Sequence, residues 1–128
     1  MAAVLILLEN TTSQTLTLEK THLAGNFVWD IEPPSSISPG NYGQWSAHGE
    51  DLGMEVRYTN GQFHVVFEVG RTPDPSHQYN YMFSYQCLLD IGGVLHAGED
   101  RFIITPDLSW PTSDENAQLR LVWHDFEQ

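Results

Sequence analysis

Between Met54 and Val69, apolar and polar residues alternate on both sides of Asn60-Gly61, and no other feature of the chain constrains its fold as tightly. Period-two alternation marks a half-buried strand. Asn-Gly is the favoured pair for a two-residue type I′ turn, because both positions take φ > 0. Counting outward from that turn opposes Tyr58 to Phe63, Val56 to Val65 and Met54 to Phe67 on one face. Arg57 then opposes His64, and Glu55 opposes Val66, on the other. Each large apolar residue of the first strand meets one of the second, so pattern and turn agree.

The rest of the chain reads the same way. Ala3–Leu8 predicts a buried first strand, and Leu16 and Leu18 alternate with Thr15, Thr17 and Glu19. Tyr81, Phe83, Tyr85, Cys87 and Leu89 share one face of a longer strand, Phe102 and Ile104 open another, and Leu119, Leu121 and Trp123 mark the last. Turn-forming clusters separate them at Pro33–Ser36, Ser38–Asn41, Thr72–Ser76, Gly92-Gly93 and Pro111–Asp114. Helical periodicity is almost absent. Strands at this spacing predict an all-β fold: one antiparallel β-sandwich domain over residues 1–128, with about nine or ten strands. At 41% hydrophobic residues, the 128-residue chain can bury a core without staples.

Charge excludes one class of function. Seventeen Asp and Glu face five Lys and Arg, a net charge of −12, so the basic footprint that nucleic-acid binding needs is missing. Anionic membrane surfaces are opposed for the same reason. A single cysteine, Cys87, permits no intramolecular disulfide and suits a reducing compartment. The apolar start lacks the basic residues and cleavage site of a signal peptide, and no apolar stretch reaches bilayer-spanning length. The expectation is a cytoplasmic protein, or one released without a cleaved signal peptide, that acts at membranes. Asn10-Thr11-Thr12 is a glycosylation sequon, relevant only to a secreted chain.

In the N-terminal half the order of features becomes recognisable. Asn10-Thr11-Thr12 precedes Leu16-Thr17-Leu18, Trp29, Pro33-Pro34-Ser35-Ser36-Ile37, Ser38-Pro39-Gly40, an aromatic strand at Tyr42–Trp45, and Gly53 leading into Val56-Arg57-Tyr58. Over roughly residues 3–70 the chain resembles the aegerolysins and their bacterial crystal-protein relatives. The family's His-Gly before the Trp is replaced here by His22–Val28, and Trp29 carries over as the family's Trp position. The resemblance implies an aegerolysin/actinoporin-like sandwich that recognises a membrane-lipid head group, a sphingolipid or another. It further implies a cytolysin or toxin component that helps permeabilise membranes, in many members together with a perforin-like protein partner.

Under that reading an aromatic rim of Trp29, Trp45, Tyr79, Tyr81 and Trp110 meets the lipid, with Asp74 and His77 as polar head-group residues. Alternation puts Phe27, Trp29 and Ile31 on one face, so Trp29 reads either as a core aromatic or as an interfacial anchor; Trp45 is open in the same way. Trp110 lies between Pro106 and Pro111, where a loop is expected. Six histidines lack metal-ligand spacing; no cofactor, metal or catalytic constellation is predicted, and the chain is read as not an enzyme. Protonating all six takes the charge from −12 to −6, so vesicle binding is expected to strengthen below about pH 6 and not to stay identical between about pH 5 and 8. The expected state is a monomer or weak homo-oligomer. A carbohydrate- or protein-binding, lectin-like sandwich without membrane activity is the alternative, and a structural or storage protein a third.

Overall fold

The computed structural model describes residues 2–25, 27–49, 52–73, 79–97, 104–109 and 116–125. Among these residues the chain forms eleven strands and no helix. They are β1 (Ala2–Asn10), β2 (Leu16–Ala24), β3 (Val28–Ile31), β4 (Ser36–Ile37), β5 (Tyr42–Gly49), β6 (Leu52–Thr59), β7 (Phe63–Pro73), β8 (Tyr79–Ile91), β9 (Val94–Ala97), β10 (Ile104–Ser109) and β11 (Asn116–Trp123). A five-stranded sheet has the order β10-β11-β1-β5-β3, and a six-stranded sheet the order β4-β2-β6-β7-β8-β9.

Two expectations are corrected. The described residues form eleven strands against the nine or ten expected, because β4 and β9, of two and four residues, are too short for alternation to reveal. Nor is the fold wholly antiparallel. β1 runs parallel to β11, placing Ile6 beside Leu119 and Leu8 beside Leu121. This pairing joins the two ends of the described chain, and Thr11 N–H extends it by donating to Trp123 O at 2.9 Å.

The inner faces of the two sheets share one core. Val4, Ile6, Leu8, Trp45, Ala47, Leu119, Leu121 and Trp123 come from the five-stranded sheet; Met54, Val56, Tyr58, Phe63, Val65, Phe67, Val69 and Cys87 come from the other, and all are buried. Ring contacts hold the layers together. Trp45 lies 5.7 Å from Tyr58 and 6.0 Å from Phe67, centroid to centroid, and Phe67 lies 6.5 Å from Trp123. Such pairs contribute about 0.5–1.5 kcal/mol each beyond their buried area. The Tyr58 hydroxyl donates to Pro34 O at 2.6 Å, and burial pushes its pKa up.

The β6–β7 hairpin keeps its predicted faces in a different register. Tyr58 opposes Val65, Val56 opposes Phe67, Met54 opposes Val69 and Arg57 opposes Val66. The turn centres on Gly61-Gln62, one residue later than Asn60-Gly61. Gly61 takes φ +97° at the first central position, where a type II′ turn requires glycine. Asn60 acts through its side chain, its Oδ1 accepting from Gln62 N at 2.9 Å and Phe63 N at 2.8 Å. Pairing shifts by two residues, so every side chain changes partner and none changes face.

A bulge alters β3. Trp29 opposes Ala47 on the inner side, but the register shifts before Ile31, which opposes Ser46 on the outer side. Phe27, Trp29 and Ile31 therefore do not share a face; an extra residue in one strand reverses the alternation beyond it.

Candidate functional site

The outer face of the five-stranded sheet departs from the polar surface that a sandwich normally turns to solvent. A strand with one buried face needs apolar residues only at alternate positions, yet β1 is apolar continuously from Val4 to Leu8. Val4, Ile6 and Leu8 fill the core, while Leu5 and Leu7 point outward and are half-buried. The register arranges the outer rows. Glu9 lies between Val122 and Tyr42, Leu7 between Arg120 and Gln44, and Leu5 between Gln118 and Ser46. On β3, Val28 and Ile31 continue this face, opposite His48 and Ser46.

Together these residues form an apolar band crossed by the polar β5 row of Gln44, Ser46 and His48. Val28, Ile31 and Tyr42 are 55%, 40% and 68% exposed. Towards β11 the band deepens into a groove of ≈ 580 Å³, lined by Leu5, Leu7, Glu9, Gly40, Tyr42, Gln44, Arg120 and Val122. That volume falls within the range of small-ligand sites, about 300–1,000 Å³. Aliphatic side chains make its floor, Tyr42 supplies an aromatic ring, Gln44 an amide, and Glu9 and Arg120 one charge of each sign. At the β3 end, Asp30 Oδ1 and His48 Nδ1 lie 2.7 Å apart. The set offers apolar contact and directional hydrogen bonds, which is binding chemistry.

Asn10 fixes one end of the groove. Its backbone N–H donates to Asn41 O at 2.9 Å, and its carbonyl accepts from Gly40 N at 2.8 Å, pinning the loop between β4 and β5. Gly40 takes φ +80° there. The fully buried Asn10 side chain donates through Nδ2 to Gln14 O at 2.8 Å and Ile37 O at 3.0 Å. Its Oδ1 accepts from Thr12 N at 3.0 Å and Thr12 Oγ1 at 2.7 Å. The sequon asparagine is thus a structural hub with no room for a glycan in the folded chain.

The other outer face is more polar, with Val66 and Leu88 half-buried on it and Ile91 and Val94, each 57% exposed, at the β8–β9 end of its sheet. Glu19, at a bulge in β2, contacts His64 Nδ1 and, at 3.5 Å, Arg57 Nε; Lys20 lies 3.5 Å from Glu55. His22, Glu55, Glu68 and Ser84 align in one row across four strands, beside a shallow ≈ 380 Å³ hollow that Ala24, Gly53 and Gly70 leave open. Among the described residues no group of three His, Cys, Asp or Glu is placed to hold a metal ion. Cys87 is a buried thiol.

Of the expected rim, the described side chains place two residues, Trp45 and Trp29. Trp45 is 1% exposed and belongs to the core, because its strand position opposes Ile6 and faces Tyr58 and Phe67. Trp29 is half-buried against the core, on the inner side of β3. Tyr79 and Tyr81 stand opposite Pro73 and Arg71 in β8, and their side chains lie outside the described ones. Asp74, His77 and Trp110 lie outside the described residues, as does Phe102. Sequence reasoning passed over the groove residues. The unbroken apolar run of β1 was their one local signal, since a single core explains only half of it.

No protein-family model matches the sequence, and no curated protein matches it.

Proposed function

We propose that this chain binds membrane lipid, as its resemblance to the aegerolysins implies, and that it does so through the outer face of the five-stranded sheet. One observation carries the reading: among the described residues Val28, Ile31 and Tyr42 are exposed, and Leu5, Leu7 and Val122 half-buried, on one outer face, an apolar band crossed by Gln44, Ser46 and His48. Exposed patches of this kind, edged by polar groups, mark membrane, partner or ligand contacts. Here the band ends in a groove with one carboxylate and one guanidinium, suited to an amphipathic ligand whose polar end sits among Glu9, Gln44 and Arg120. In this reading the protein is a non-catalytic targeting component, a cytolysin or toxin subunit that brings a perforin-like partner to the membrane. The −12 charge restricts it to membranes whose surface is not strongly anionic.

The test is sedimentation with vesicles of varied sphingolipid and sterol content, alongside a glycan array. Ile31→Asp and Val28→Asp place a charge on the band without touching the core. Lipid-selective pelleting that both variants weaken by about tenfold or more supports the reading, since a carboxylate buried without a partner costs at least about 1.4 kcal/mol. Glycan binding with no pelleting would favour the lectin-like alternative instead.

A further inference from the structure

We infer that the polar group this groove takes is a neutral sugar ring carried on a membrane lipid, an inference that rests on the lipid-binding reading above. A pyranose has a C–H face that lies flat on an aromatic ring, and an edge of hydroxyls that each donate and accept. The groove supplies both complements. The Tyr42 ring is 68% exposed and stands at the groove wall rather than in the core. Around it lie three planar groups with complementary capacities: the Gln44 amide donates and accepts, the Glu9 carboxylate accepts, and the Arg120 guanidinium donates in a fork. The register places Glu9 directly opposite Tyr42, and Gln44 and Arg120 on either side of Leu7.

Charge favours a neutral occupant. Arg120 and Glu9 give the groove one charge of each sign. An anionic head group entering this chain's −12 field meets repulsion with only one cation in the groove to compensate. A cationic group would be placed against Arg120. A polyhydroxylated neutral ring leaves neither groove charge opposed and uses all three planar groups at once. Leu5, Leu7 and Val122 then take the apolar part of the lipid next to the sugar linkage.

The test compares pelleting of the full chain with phosphatidylcholine vesicles containing either a monohexosyl ceramide or the matching ceramide, with methyl glycosides as free competitors. Pelleting that needs the hexose, yields to the glycoside, falls about tenfold in Tyr42→Ala and persists in Tyr42→Phe supports the inference, because phenylalanine keeps the ring and loses only the hydroxyl. Equal pelleting on both vesicles, or on phosphocholine sphingolipid alone, overturns the sugar and leaves the lipid-binding reading standing. Glycoside binding without pelleting overturns the lipid carrier and the lipid-binding reading with it. No binding of either kind overturns both.

Discussion

Asn10→Ala is expected to cost more stability than any other single truncation of a polar side chain among the described residues. The amide is fully buried and makes four hydrogen bonds, at 2.7–3.0 Å, to Thr12, Gln14 and Ile37. Truncation deprives Gln14 O, Ile37 O and Thr12 N of one partner each. Gln14 O keeps the Thr12 hydroxyl, 3.0 Å away, so the loss falls mainly on the other two. At about 1–3 kcal/mol for each buried group left unsatisfied, the total is about 2–6 kcal/mol. A chain of 128 residues has an unfolding entropy near 0.27 kcal/mol/K, so Tm should fall by about 7–22 °C. Asn10→Asp keeps the acceptor but turns a second oxygen toward two carbonyls. Burial raises that carboxyl's pKa, so its deficit should be smallest in acid, where protonation restores a donor, and should grow as pH rises. Thermal unfolding by circular dichroism reads both variants. An Asn10→Ala protein that melts within about 4 °C of the parent would refute the hub.

Further expectations follow from particular contacts. A Cβ at Gly43 would lie 2.6 Å from Ile37 Cδ1 and 2.9 Å from Pro34 Cγ, so Gly43→Ala should lower stability by about 1–3 kcal/mol through overpacking, measured by denaturant unfolding; an unchanged midpoint would contradict that packing. The Tyr58 phenol is held neutral by burial, with a raised folded pKa. Its contribution is full below about pH 10, the unfolded pKa, and is lost above it at about 1.4 kcal/mol per pH unit as the unfolded chain ionises. Tyr58→Phe should therefore show a shallower alkaline decline in stability, at the cost of the Pro34 hydrogen bond; an identical slope would show that Tyr58 ionises freely in the native state.

The sequence revealed faces more reliably than partners. Side-chain period two survives any even shift of register, so the inward set of Tyr58, Val56, Met54, Val65 and Phe67 was legible although each pairing moved by two residues. The shift itself was not. Asn60-Gly61 satisfies two turn geometries, and the choice went to the one in which Asn60 closes the loop twice, its N–H donating to Phe63 O at 3.2 Å and its Oδ1 accepting from Phe63 N. Trp45 was ambiguous because its same-face neighbour is Gly43, which leaves no apolar alternation to count; that missing side chain is also what admits Ile37 and Pro34. The bulge that turns Ile31 outward has no distinctive residue, and the parallel β1–β11 pair joins segments more than a hundred residues apart. The groove draws on β1, β5 and β11, so it becomes visible only once that order is known.

The central claim, that the outer face of the five-stranded sheet meets the membrane, is tested most directly by an environment-sensitive fluorophore placed on each outer face in turn. Ile31→Cys puts the label on the apolar band, and Glu68→Cys puts it on the more polar outer face of the other sheet; buried Cys87 stays shielded from the reagent. With vesicles that pellet the parent protein, a blue shift at position 31 and none at position 68 is the predicted result. A shift at 68 alone, or none at either position while the protein still pellets, would contradict the claim.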